Sequence, residues 1–117
     1  MTQPVSRATA PHYTWGQGCD GWHLERSETI SVIEERMPPG SAEQRHSHGT
    51  ARQVFYTLDG VLSIELDGVH HSVCTGESLT IAPGLPHQAA NQSDEDVRFI
   101  VISSPPAQSD RRDHPSL

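Results

Sequence analysis

The sequence is poor in the residues that usually fill a core: aromatics make up 5% of its 117 residues and hydrophobic residues 33%. A chain of this length buries one core and not two. With so little apolar material, part of its length is expected to lie outside that core. Cations are scarce as well, with 8 Lys and Arg against 15 Asp and Glu and a formal net charge of −7. Nucleic acids and anionic membrane surfaces both call for clustered Lys and Arg, so neither is expected as a partner. The basic doublet Arg111-Arg112 is flanked by Asp110 and Asp113. No apolar run approaches the roughly 20 residues of a membrane-spanning helix, and the N-terminal residues show no apolar signal-peptide core. The expected location is therefore the cytoplasm. The two cysteines, Cys19 and Cys74, are too few and too far apart for a disulfide framework. Each reads as a small buried or half-buried thiol.

What the chain does have is alternation. Leu62, Ile64 and Leu66 interleave with Val61, Ser63 and Glu65, the period of two of a half-buried strand. Asp67-Gly68 then leads into Val69–Val73, and a D-G pair between two such runs marks a hairpin. Residues 29–37, 54–58, 79–82 and 97–103 read as further strands. No stretch sustains a 3.6-residue apolar period with caps at both ends. Pro- and Gly-containing turn signals recur every eight to sixteen residues, the rhythm of a sandwich or barrel. The expected fold is all-β and a single domain. Residues 1–14 and 104–117 are polar and Pro-containing, and read as flexible arms flanking a barrel domain at 15–103.

Histidine is over-represented, with eight in the chain. His46-Ser47-His48 is an H-x-H pair, and residues i and i+2 of a strand point to the same side. Two imidazoles on one face can share a metal ion. On its own, the pair fits two solvated histidines on an exposed strand better than a metal site. Imidazole suits Fe, Ni, Mn, Cu and Zn, so the spacing does not select an ion. His70-His71 reads as a solvated pair, and His12 and His114 as histidines of the arms. His23 has no evident partner.

The neighbourhood of the H-x-H pair is more specific. Gly40, His46, His48, Gln53 and Gly60 follow the pattern G-x5-H-x-H-x4-Q-x6-G, and Gly76, Gly84, His87 and Asn91 follow G-x7-G-x2-H-x3-N. These two stretches resemble the paired motifs of the cupin family, over about half of the chain. Two positions depart from the family pattern. Ala82-Pro83-Gly84 shifts the proline of the second motif by one place, and Gln53 stands where the first motif has Glu. The resemblance implies a single small jelly-roll β-barrel of two antiparallel sheets. It also implies one divalent metal ion held by His46, His48, His87 and the residue at position 53. Gln53 offers only a neutral amide oxygen, so it either binds through its carbonyl or stands off the metal. Asn91 would be a turn residue.

With no anionic protein ligand, a bound ion would keep its full charge and favour an anionic or chelating small molecule. If Gln53 points inward, alternation turns Phe55 and Thr57 inward too, as candidate substrate-binding residues. Arg45 and Arg52 point the other way by the same parity, toward solvent. Three-histidine sites of the family resemble those of thiol, diketone and gentisate dioxygenases, so a dioxygenase is one expectation. The alternatives are a non-catalytic metal-dependent binding module and a protein like the sugar-phosphate isomerases. No general acid or base stands out among Glu34, Glu65 and Glu77. The resemblance further implies a homodimer pairing through sheet edges, with Trp15, Trp22 and the 29–37 strand as its candidate surface.

Overall fold

The computed structural model describes residues 2–107 and 110–117. Among the described residues, eleven strands build two antiparallel sheets. The six-stranded sheet runs β1 (His12–Trp15), β2 (Cys19–Arg26), β3 (Ser31–Met37), β10 (Val97–Ser104), β5 (Arg52–Asp59) and β8 (Ser78–Ile81). The five-stranded sheet runs β11 (Arg111–Asp113), β4 (His46–His48), β9 (His87–Ala90), β6 (Val61–Leu66) and β7 (Val69–Cys74). This is the expected all-β jelly roll. No helix among the described residues is long and apolar enough to cross a membrane.

The local rules act where the sequence placed them. Asp67 and Gly68 both adopt positive φ, 48° and 89°. That is the type I′ geometry whose twist suits a two-residue hairpin, and it sets Leu66 opposite Val69. Along β10, Val97, Phe99, Val101 and Ser103 turn inward, and along β5 Gln53, Phe55 and Thr57 do the same. The register pairs Ser103 with Gln53, Val101 with Phe55 and Phe99 with Thr57. Polar and apolar inward positions are thereby sorted into rows across the sheet. The packed part of the interior gathers Phe99, Val97, Met37, Leu62, Ile64 and Ile81, all at most 2% exposed.

Three expectations need correction. The ladder reaches past residues 15–103: β1 pairs with β2, and β11 pairs with β4, putting Arg111 opposite His48 and Asp113 opposite His46. Polar composition hid these strands because each completes a sheet edge and buries little of itself. The 29–37 strand does not lie at an edge, since β2 and β10 flank β3 on either side. Arg45 does not face solvent. It is buried, and its Nε and Nη2 donate to both carboxylate oxygens of Glu65 at 2.6 and 3.1 Å. Parity correctly turned it away from His46, but that face of the strand is itself covered. Arg52 is exposed and Cys19 buried, as expected, whereas Cys74, expected to be at least half-buried, is exposed.

Candidate metal centre

His46 and His48 lie on one side of the short strand β4, and His46 is the cross-strand partner of His87 on β9. The three rings sit 4.5 to 6.0 Å apart, centroid to centroid. One ligand atom from each falls within 4.8 Å of the others. All three residues are buried. Burial is possible because both faces of β4 are covered: its outer side chain, Ser47, hydrogen-bonds His114 Nε2 at 2.8 Å.

The second nitrogen of each ring fixes which atom faces the centre. His46 Nδ1 donates to Gln44 O at 2.8 Å, and His87 Nδ1 donates to Leu85 O at 3.0 Å. His48 Nδ1 lies 3.0 Å from Asp110 Oδ1. Each acceptor requires the proton on Nδ1 and so leaves a lone pair on Nε2, the arrangement that orients metal-bound histidine. Burial pushes the His46 imidazole down to about 3 and His87 down as well, partly opposed by those carbonyl hydrogen bonds. Those two rings are thus held neutral, as ligation needs. Burial opposes ionisation of Asp110. Hydrogen bonds from Thr50 N, Ala51 N, Thr50 Oγ1 and His48 outweigh it and hold the carboxyl well below the usual carboxylate range.

Two buried polar atoms here have no hydrogen-bond partner: His87 Nε2 and Gln53 Oε1. The Gln53 amide is anchored at its other end, where Nε2 donates to Ser103 Oγ at 3.0 Å. Buried polar groups without partners are rare and costly. A cation answers both, since each carries an unused lone pair. The donor set of three imidazoles and one amide oxygen therefore suits a divalent transition metal.

The other expected site residues divide. Phe55 lines the chamber and stacks on Phe99. Thr57 is fully buried, donates its hydroxyl to Val73 O and does not line the chamber. Among the carboxylates, Glu34 pairs with Arg7 and Arg98, Glu65 pairs with Arg45, and Glu77 accepts from Cys74 N. None of the three lines the chamber.

Two carboxylates that the sequence did not mark do line it: Glu35 on β3 and Glu43 just before β4. Burial pushes Glu35 up to about 7, against a hydrogen bond from Tyr13 Oη to Glu35 Oε2 at 3.1 Å. Burial pushes Glu43 up to about 8, against a hydrogen bond from Ala89 N, and the Glu35 charge adds to the rise. Glu43 Oε2 lies 3.9 Å from His46 Nδ1. Tyr13 reaches Glu35 across an intervening strand because the residue between them is Gly21, the register partner of both. A Cβ at Gly21 would stand 2.1 Å from Tyr13 Cζ.

Among proteins with known sequences, an uncharacterized protein of Methanocaldococcus jannaschii is 30% identical over 65% of this chain. The polyketide synthase CurC of Streptomyces cyaneus is 29% identical over 59%. The matches span 61% and 45% of those two relatives' own lengths. Among solved structures, the polyketide cyclase RemF from Streptomyces resistomycificus superposes with a TM-score of 0.85 at 19% identity, covering 100% of this chain and 88% of RemF. That likeness is one of fold. The cupin-domain family model matches residues 33–103, more than half of the sequence and the stretch holding the three histidines and Gln53, and on this ground the chain belongs to the cupin family.

Proposed function

We propose that this cupin is a divalent-metal-dependent acid–base catalyst. It would isomerise or cyclise a small carbonyl compound that chelates the metal through oxygen. The observation that carries this reading is the pair Glu35 and Glu43, two half-buried carboxyls with raised pKa that line one chamber together with His46, His48 and Gln53. His46, His48, His87 and Gln53 Oε1 would hold the ion. Bound there without an anionic ligand, it supplies Lewis acidity toward a carbonyl oxygen.

The remaining chemistry belongs to the chain. Two neighbouring carboxyls titrating near neutrality share protons, so that one accepts while the other donates. Such a pair suits removal of a proton beside a carbonyl and its return elsewhere. Tyr13 fixes the orientation of Glu35, and Ala89 N fixes that of Glu43. Phe55 and the apolar wall beside it limit water around the transferred proton.

The names of CurC and RemF support a chemistry of this class. The dioxygenase expectation rests on the imidazoles alone and gains nothing from the carboxyl pair. The test is zinc-loaded protein in D2O with ethyl 2-methylacetoacetate, following deuterium uptake at the α-carbon by NMR. Catalysed exchange that is lost in a Glu35→Gln, Glu43→Gln double variant is the expected result. Metal bound in stoichiometric amount without exchange points to a binding module. Substrate-dependent oxygen uptake by iron-loaded protein would restore the oxygenase.

A further inference from the structure

The chamber, inner in the sense that the histidines line it, is the smaller of two adjoining spaces. It encloses about 160 Å³, close to a cavity that holds one benzene ring. A second cavity of about 410 Å³ adjoins it, walled by Tyr13 and Trp15 of β1. Glu35, Glu43 and Arg111 line both spaces and so stand at their common boundary. Small-molecule sites of 300–1,000 Å³ are usual. The inner chamber falls short of that range, and the outer one lies within it.

The outer walls are rigid. Trp15 Nε1 donates to Asp20 O at 3.3 Å, holding the indole in place. The Tyr13 ring lies against the bare backbone of Gly21 with its hydroxyl tied to Glu35. Aromatic faces fixed in this way bind flat unsaturated groups with little loss of side-chain freedom. Arg111 is the cation common to both linings and matches a phenolate or enolate oxygen at that boundary.

We infer that the site takes a two-part ligand: a chelating oxygen-bearing head no larger than one ring, and a flat unsaturated body that rests on Trp15 and Tyr13 in the outer cavity. The inference rests on the metal reading given above for the inner chamber. It makes Trp15 a specificity residue for the body and leaves the head to the histidines.

The experiment compares three ligands on zinc-loaded protein by calorimetry. They are acetylacetone (head alone), 2-hydroxyacetophenone (one ring) and 1-hydroxy-2-acetonaphthone (two rings). The two-ring ligand should bind at least tenfold tighter than the one-ring ligand. Trp15→Ala should cut that ratio below threefold while acetylacetone binds as before, and Trp15→Phe should keep the ratio. Acetylacetone binding without any gain from the second ring overturns the vestibule and spares the metal reading. No acetylacetone binding to zinc-loaded protein overturns both. Since Trp15 also packs against the core, Trp15→Ala can fail to fold. Intermolecular NOEs from the naphthyl protons to the Trp15 indole in the unaltered protein then decide, and their absence overturns the inference.

Discussion

The packed part of the barrel interior and the chamber part are built from the same strands under opposite rules. In the packed part the buried Thr57 and Asn91 side chains are both answered. Thr57 donates to Val73 O, and the Asn91 amide donates to Met37 O and Glu95 O while its oxygen accepts from Ser93 N and Oγ. Two residues before Phe55 on β5, Gln53 Oε1 is buried with no partner, and so is Nε2 of His87, whose ring lies 4.5 Å from that of His46. A protein tolerates such atoms where a ligand will pay for them. The contrast separates the half that supplies stability from the half that spends it.

That separation can be broken at several points. The largest expected effect is His46→Ala, which should take metal content from near one per chain to near zero by elemental analysis while the β-sheet circular dichroism persists. Phe99→Ala should do the reverse. It should cost about 3–5 kcal/mol in denaturant unfolding, as large-to-small changes of a buried Phe do, and leave metal per folded chain unchanged. Asp110→Asn keeps a side chain of the same shape beside His48 but loses the charge. Changes to such outer partners cost roughly 10–100-fold in metal affinity, which competition with a chelator would measure. Gln53→Glu should tighten metal binding by supplying an anionic oxygen, and unchanged affinity would place residue 53 off the metal.

The smallest and broadest effect is on pH. Glu35 and Glu43 are raised from 4.5 to about 7 and 8. Their contribution to stability is full below 4.5 and is lost as pH rises through those higher values. His46 is lowered from 6.5 to about 3. The unfolded chain therefore takes up a proton that the folded one refuses, and stability falls as pH drops from 6.5 toward 3. Metal-free protein should be most stable between these arms, at about pH 4.5–6.5. Zinc favours the carboxylate form of nearby Glu43 and should flatten the alkaline arm, which denaturation across pH with and without zinc would show.

How much of this was legible in the sequence depended on distance along the chain. His46 and His48 are two residues apart on one strand, so local spacing paired them, and the resemblance of the two motif stretches to the cupin family added His87. The Asp67-Gly68 hairpin was likewise visible from local spacing. Glu35 was not, because Glu34-Glu35 offers two adjacent carboxylates on opposite faces, and only the pairing of β3 with β2 and β10 decides which one faces the chamber. Glu43 lies outside any strand, and its inward turn depends on the hydrogen bond from Ala89 N. Arg45 found Glu65 twenty residues away. Asp110 stood in a polar segment whose composition resembles a tail, and its function depends entirely on a partner in β4.

That partner is 62 residues upstream, which separates the parts of the candidate site along the chain. His46, His48, His87 and the strands of the packed interior all precede Asp110, the last of those strands ending at Ser104. A chain interrupted between Ser104 and Asp110 would keep the packed interior and all three imidazoles, yet His48 would lack the group that holds its ring and proton in place. The fold and the orientation of its candidate ligands are thus encoded in separable stretches of sequence.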